Sequence, residues 1–343
     1  MVTDKPPQRE IPTSDCITST KLLQLSLMVS SNKMSDLNYI VRNYRLTDFN
    51  NYVQFHLEVE RLEQAGRCIS PQALGEGLGR PNYSPENDLF IAEIDGKVVG
   101  YIDVTPELGI GRAVLDCLVH PELRRKSLAT QLFHYAVRCA TELKARVAYV
   151  NIPQHNVAAA SLLSKLGFKF VRRFLELRRG LAEVHLPNAK HIALPCRPLQ
   201  RGEENKLTEI QNRCFAGTWG YNPNTVEEIA YRLNLTNCSP EDVILVCDEE
   251  NLVGYCWTTI NKEENTTLGR SKGRIYMLGV APDYQGKGIG KQVLMAGLSH
   301  LKSKGLEVAE VTVDSNNRAA CALYESVGFK ISSTSEWYEK ALD

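Results

Sequence analysis

The chain repeats itself. His120 to Ala129, HPELRRKSLA, lies over Ala281 to Gly290, APDYQGKGIG, at an offset of 161 residues. The same offset puts Asn156 on Asn317, Ala159 on Ala320, Leu162 on Leu323, Gly167 on Gly328 and Phe168 on Phe329. Short matches that share one long offset mark a duplicated unit. Upstream, Val99-Gly100-Tyr101 matches Val253-Gly254-Tyr255 at an offset of 154. The seven-residue difference fits a longer polar turn, Asn261 to Lys272, in the second half. A length of 343 residues accommodates two units at roughly 100–200 residues per domain. The expected organisation is one copy over 39–180, a second over 192–343, and a disordered Ser/Thr/Pro/Lys-rich tail over 1–38. Met34 is an alternative start, since structured sequence follows it directly.

Both copies read in the same order. A helix from Arg42 to about Leu62 follows a short strand. Strands over Asp88–Ile94 and Val98–Val104 flank the turn Asp95-Gly96, with counterparts at Val243–Cys247 and Val253–Ile260. A third strand covers Val114–Val119 or Arg274–Val280. A loop then opens a helix with apolar residues at helical spacing: Leu132, Phe133, Ala136, Val137 and Ala140, or Ile289, Val293, Leu294, Leu298 and Leu301. A strand over Arg146–Asn151 or Glu307–Val313 follows, then a helix ending at Gly167 or Gly328, where a C-terminal glycine is expected. A last strand covers Phe170–Leu177 or Ile331–Glu339. The expected fold class is α+β, with a parallel βαβ crossover inside a mostly antiparallel sheet.

Composition excludes several functions. Forty basic residues balance forty acidic ones, so no global basic footprint for nucleic acid or an anionic membrane is present. No apolar run approaches the ~20 residues of a spanning helix. Ten cysteines form no CxxC pair, and seven histidines show no HExxH spacing. No metal site is expected, and free thiols point to a reducing, cytoplasmic setting.

The loop Gln285-Gly286-Lys287-Gly288-Ile289-Gly290 lies between an apolar strand and a helix. Glycines let backbone N–H groups approach an anion, and the helix N-terminus adds partial positive charge. A Walker A loop requires GxxxxGK[ST], which is absent. A dinucleotide fingerprint requires a third glycine where Lys291 stands. By itself the loop is equally a tight turn with close helix packing.

More than the loop carries a resemblance. Met277-Leu278-Gly279-Val280-Ala281-Pro282, then Gln285-x-x-Gly288-x-Gly290, then Asn317-x-x-Ala320-x-x-Leu323-Tyr324-Glu325-x-x-Gly328-Phe329 resembles the GNAT acetyltransferase superfamily over nearly all of copy two. Copy one is similar end to end, with eroded motifs, so the chain resembles tandem GNAT proteins. The resemblance implies two GNAT-like folds whose central parallel strands splay around acetyl-CoA. It places backbone groups of Leu278, Gly279 and Val280 on the pantetheine arm. It places the loop Gln285, Gly286, Lys287, Gly288, Ile289, Gly290 and Lys291 on the pyrophosphate. Asn317, Ala320 and Tyr324 border the far side of the cleft. Asn317 is also good helix N-cap chemistry.

Acetyl transfer from a thioester to an amine needs a neutral amine, a donor for the oxyanion and a proton for the thiolate. A strand N–H near Leu278 or Gly279 suits the second requirement. Tyr324 suits the third, because a phenol of pKa ~10 is protonated at neutral pH. Packing of its ring against the sheet is the competing role. For the base, Asp314 is the first candidate, with Glu310, Glu336 and Tyr276 as others. Trp219 and Tyr221, in a Gly-flanked loop, suggest a pocket wall or a helix–helix anchor. Trp257 either lines the same cleft or fills the core.

Copy one departs from the pattern. Ser127 and Ala129 replace Gly288 and Gly290, and Leu163 replaces Tyr324. The leading expectation is an N-acetyltransferase working in copy two on a small-molecule or peptide amine, with copy one structural or pocket-forming. A non-catalytic acyl-CoA-binding module and an O- or S-directed acyltransferase are the alternatives.

Overall fold

The structure, a computed structural model, describes residues 38–184 and 194–342. The expected tail before residue 38, the Met34 start and most of the connection between the copies lie outside these residues.

Copy one begins with the edge strand β1 (Ile40–Asn43), followed by helices α1 (Phe49–Glu63), α2 (Pro71–Leu78) and the single turn α3 (Pro85–Asp88). Strands β2 (Leu89–Ile94), β3 (Lys97–Glu107) and β4 (Arg112–Val119) lead to α4 (Leu128–Glu142). Then come β5 (Val147–Pro153), α5 (Val157–Lys165) and β6 (Lys169–Gly180). Copy two repeats the plan with β7 (Cys196–Pro198), α6 (Glu204–Phe215), α7 (Val226–Leu233), β8 (Val243–Asp248), β9 (Asn251–Thr259) and α8 (Lys262–Thr267). It closes with β10 (Lys272–Val280), α9 (Ile289–Ser303), β11 (Val308–Asp314), α10 (Arg318–Ser326) and β12 (Lys330–Ala341).

Two local expectations change. Arg42 is a strand residue, not the start of a helix. It pairs with Ile91 across β1–β2 while its guanidinium holds Glu93 and Asp48. The polar turn after Asn261 contains α8. Asn261 caps it by accepting from the Glu264 N–H at 2.9 Å, a cap–acid spacing that favours a helix start.

All strands join one twelve-stranded sheet in the order β1-β2-β3-β4-β5-β12-β6-β11-β10-β9-β8-β7. β4–β5 and β10–β11 are parallel and the other pairs antiparallel, which gives the expected mixed α+β sheet. The centre holds a feature that the repeat does not announce. β12, the last strand of copy two, pairs with β5 of copy one, and β6, the last strand of copy one, pairs with β11 of copy two. β6 and β12 also pair with each other. Each copy therefore completes its sheet with the other's final strand. The loss of either strand strips ladder bonds from both halves, so the halves are one body.

The amphipathic helices fix the layers. In α4, Leu128, Leu132, Phe133, Ala136 and Ala140 are buried at spacings of three to five residues, against β2, β3 and β4. In α9, Ile289, Val293, Leu294, Leu298 and Leu301 do the same over copy two. At roughly 1.5–3 kcal/mol per fully buried large aliphatic side chain, these stripes anchor both helices. The opposite face is covered by α1 in copy one and by α6 and α7 in copy two.

Candidate active site

The parallel strands part where a cleft would be needed. β10 pairs with β11 only from Lys272↔Val308 to Ile275↔Val311, so the β11-facing edge of β10 from Tyr276 to Val280 has no ladder partner. The same edge of β4 is free beyond Leu115↔Val150. Unpaired strand edges accept an extended polar ligand as an added strand. The ladder between β10 and β9 is also interrupted, with a register shift between Ile275 and Met277. Tyr276 is the extra residue of a β-bulge, and bulges re-aim the groups beside them. β4 pairs with β3 without interruption from Gly100↔Val119 to Glu107↔Arg112. Sequence reading missed this device.

The loop after β10 leaves room for an anion. Gly286 and Gly288 have φ of +74° and +82°, and Gly288 is the N-cap of α9. A Cβ added at either meets nothing within 4 Å, so the space their missing side chains leave lies open on an exposed loop. Gln285 steadies the entry by donating to the Val280 carbonyl at 3.1 Å. Lys287 and Lys291 are exposed beside it, Ile289 anchors the helix in the core, and Gly290 packs close to Leu323. Open space, backbone N–H groups and cations together fit a pyrophosphate. The partly buried Leu278 and Val280 pack toward α9 while Gly279 lies against Tyr255 and Cys214, so the unpaired strand is held rigidly.

Asn317 caps α10, accepting from the Ala320 N–H at 3.1 Å. Its Nδ2 has no partner among the described residues, so capping leaves a donor for a ligand. Ala320 packs on the copy-two core. Tyr324 is buried, with its ring edge-on to Phe329 at 5.5 Å and no hydrogen-bond partner for its hydroxyl among the described residues. Burial pushes the phenol well above its ordinary value, with smaller contributions from Cys256 and Cys321. The phenol therefore stays protonated at any physiological pH.

The candidate bases are all engaged. Asp314 accepts from Arg172 of β6 at 2.9 Å on one oxygen and from the Asn316 N–H at 2.9 Å on the other, so one oxygen ties β11 to β6 and the other shapes the turn into α10. Glu310 is ion-paired with Arg178 and Lys272, and Glu336 with Arg173. Tyr276 is 42% exposed and rests edge-on against Trp257. Trp257 itself is fully buried and fills the core rather than lining a cleft. Tyr221 stacks on Phe215 and donates to Asn212 at 2.7 Å, which anchors the α6–α7 loop. Trp219, in the same loop, lies across the exchanged strands against Tyr149, Phe174 and Trp337, with Arg172 4.8 Å above its ring. A cavity of about 440 Å³ opens beside this loop, with Arg80, Tyr83 and Glu107 from copy one facing Asn222, Tyr231 and Lys262 from copy two.

Copy one keeps the loop and loses the chemistry. Arg125 and Ser127 adopt φ of +63° and +62°, the conformation of Gly286 and Gly288. Arg124 donates to the Val119 carbonyl at 3.1 Å, as Gln285 does to Val280, and Asn156 caps α5 as Asn317 caps α10. Leu163 is buried where Tyr324 stands in copy two. Asp103 and Asp116 face each other across β3–β4, at the places Trp257 and Met277 hold across β9–β10. Arg80 holds Asp103 at 2.8 Å and Tyr101 donates to Asp116 at 2.7 Å. Burial pushes the Asp103 carboxyl up against the pull of Arg80.

Among the described residues no three His, Cys, Asp or Glu side chains gather as a metal site, and no helix is long and apolar enough to cross a membrane.

Comparison with known proteins agrees with the geometry. The model of the acetyltransferase (GNAT) family matches residues 57–168 and again 205–329. A mycothiol acetyltransferase of Stackebrandtia nassauensis is 28% identical over 293 residues, covering 83% of this chain and 94% of that protein. One from Saccharomonospora viridis is 30% identical over 305 residues, covering 82% and 96%. Among solved structures, a GCN5-related N-acetyltransferase from Sphaerobacter thermophilus superposes with a TM-score of 0.69 at 19% identity, covering 89% of this chain and 97% of that one. A tandem GNAT protein from the clavulanic acid biosynthesis pathway gives 0.68 at 14% identity, covering 89% and 99%. With two family matches spanning more than half its length, a splayed parallel pair in each copy and the helix-capping glycine loop, the chain belongs to the GNAT family of acetyltransferases and is an acyltransferase of tandem architecture.

Proposed function

We propose that copy two transfers the acetyl group of acetyl-CoA to the amine of a small-molecule or peptide acceptor, and that copy one is structural and helps to shape the acceptor pocket. The observation that carries this reading is the coincidence, in copy two alone, of a bulged splay strand, a glycine cradle and a buried unpartnered phenol.

Acetyl-CoA supplies the acetyl group activated as a thioester. The Gly286–Lys291 amides and lysines would hold its pyrophosphate, the free edge of β10 its pantetheine arm, and Asn317 Nδ2 a polar group of that arm. The amine attacks the carbonyl carbon, forming C–N as C–S breaks. A β10 backbone N–H at or just beyond the bulge would donate to the carbonyl oxygen as negative charge develops there. Tyr324 would give its proton to the departing thiolate, while the amine's proton leaves to water. Each carboxylate near the splay is committed to an arginine, so no single side chain is assigned as base. The mycothiol acetyltransferases support acetyl transfer to a small molecule. The free thiols of the described residues support a cytoplasmic location.

The test is CoA release by the full chain over a panel of amines, run beside Tyr324→Phe. Wild type should turn over at least one amine, and the variant should lose ~10²–10⁴-fold in kcat with acetyl-CoA affinity nearly unchanged. Binding of acetyl-CoA without turnover of any amine would leave a binding module instead. An unchanged kcat in a chemistry-limited assay would return Tyr324 to the packing role.

A further inference from the structure

The mouth of the copy-two splay carries an arginine that no carboxylate of the described residues pairs with. Arg274 immediately precedes Ile275, the last β10 residue paired with β11, and lies two residues before the bulge at Tyr276. Its guanidinium reaches across the parting strands and donates to the Thr312 hydroxyl on β11. Its register partner is Glu310, yet Glu310 is ion-paired with Arg178 and Lys272. Three of the four arginines of neighbouring β6 are matched: Arg172 with Asp314, Arg173 with Glu336, Arg178 with Glu310. Among the described residues, Arg274 has no carboxylate partner, and one bond to a hydroxyl leaves most of its donors unused. Copy one has Val114 at the matching register position, opposite the strand pair Thr105 and Tyr149. The cation is thus particular to the copy with the bulge and the phenol.

We propose that Arg274 binds a carboxylate of the acceptor, and that the acceptor class is the free amino acid, with its amine only one or two carbons from that carboxylate. This rests on the acetyl-transfer reading above. A guanidinium is a planar fork that matches a carboxylate in two parallel hydrogen bonds. Thr312 follows Val311, the register partner of Ile275, so the bond to its hydroxyl holds the guanidinium about level with the bulge at Tyr276. A carboxylate held there by hydrogen bonds of about 2.8 Å keeps an amine one or two carbons away beside the bulge. A longer spacer would carry the amine past the splay. The fork also turns away acceptors that lack the anion, because a partly buried guanidinium then gives up water with no partner in return.

The experiment compares the common amino acids with their primary amides as acceptors, by CoA release, in wild type, Arg274→Met and Arg274→Lys. In wild type the preferred amino acid should exceed its amide at least tenfold in kcat/KM. Arg274→Met should cut that amino acid at least tenfold and leave the amide within about twofold, and Arg274→Lys should restore part of the preference. Amides used as well as their acids by wild type, or equal losses on both in Arg274→Met, would overturn the assignment. A second measurement separates it from the reading beneath it: calorimetric binding of N-acetyl amino acids to the CoA-loaded chain. Binding that Arg274→Met abolishes, with no amine turned over, would sink acetyl transfer and keep the carboxylate site. Turnover of amines without any preference for the acid would keep acetyl transfer and sink the site. No binding and no turnover would remove both.

Discussion

The two copies fold alike and differ in what their splays can do. The loop proposed to hold the pyrophosphate is a matter of backbone. Arg125 and Ser127 hold the left-handed conformation of Gly286 and Gly288, at a cost of roughly 1–2 kcal/mol each. The helix cap and the brace from the loop to the strand carbonyl also recur at equivalent positions. Three things do not recur: the bulge at Tyr276, the phenol of Tyr324, and the residues beneath the splay. There, copy two has Trp257 opposite Met277, and copy one has two carboxylates braced by Arg80 and Tyr101. A cradle made of amides tolerates changes of side chain. A proton donor and a re-aimed N–H do not.

The bulge offers the sharpest way to break this comparison. Deleting Tyr276 gives β10 the uninterrupted ladder of β4. Acetyl-CoA affinity and thermal midpoint should change little, while kcat falls ~10²–10³-fold, the usual effect of losing an oxyanion donor. A deletion variant that keeps full kcat would show that the bulge does not aim the donor.

The loops come next. Gly288→Arg should weaken acetyl-CoA binding to copy two about a hundredfold by filling the open space above the cradle. The fold should survive, because Arg125 and Ser127 already show that this loop accepts side chains at positive φ. In the other direction, Ser127→Gly should tighten any binding at copy one by several-fold without creating turnover, since Leu163 gives no proton. Calorimetric stoichiometry and affinity on both variants check the pair. An unchanged isotherm for Gly288→Arg would count against the cradle.

The smallest effect concerns stability. Burial among Tyr52, Phe55 and Tyr101 pushes the His56 imidazole down to about 4, with Arg67 adding to the shift. The unfolded chain takes up this proton near pH 6.5 and the folded chain does not. Stability is therefore complete above that pH and falls on acidification toward pH 4, by about 3 kcal/mol in all. Asp103, with its raised carboxyl, works in the opposite sense. His56→Phe keeps the ring and removes the titration, so denaturant midpoints between pH 7 and 5 should fall less in the variant. Identical slopes would remove His56 as the source.

Much of the fold was legible because period and punctuation are local. Ile289, Val293, Leu294, Leu298 and Leu301 mark one helix face, and the glycines at 286 and 288 mark the turn that starts it. Asn317 and Tyr324 were singled out by the family resemblance; only Asn317 recurs in copy one, where Leu163 stands for Tyr324. The bulge was nearly legible. Strand pairing sets Leu115 beside Ile275, an offset of 160, and Val119 beside Val280, an offset of 161. No identical residue marks the change, so only the ladders reveal the extra residue.

Burial and partnership were beyond the reach of spacing. Trp257 reads the same as cleft or core, and only its covering by α6 and α7 decides for core. Asp314 reads as a base until Arg172 arrives from a strand of the other copy. The exchange of β6 and β12 is the clearest case. Both strands alternate in the same way whichever neighbour they pair with, and ladder hydrogen bonds run between backbone groups that every residue carries. The sequence by itself therefore determined two copies, their elements and the glycine cradle. Which final strand completes which copy and which carboxylates are tied to arginines were decided by the tertiary structure, because side-chain pattern sets the face of a strand and not its neighbour.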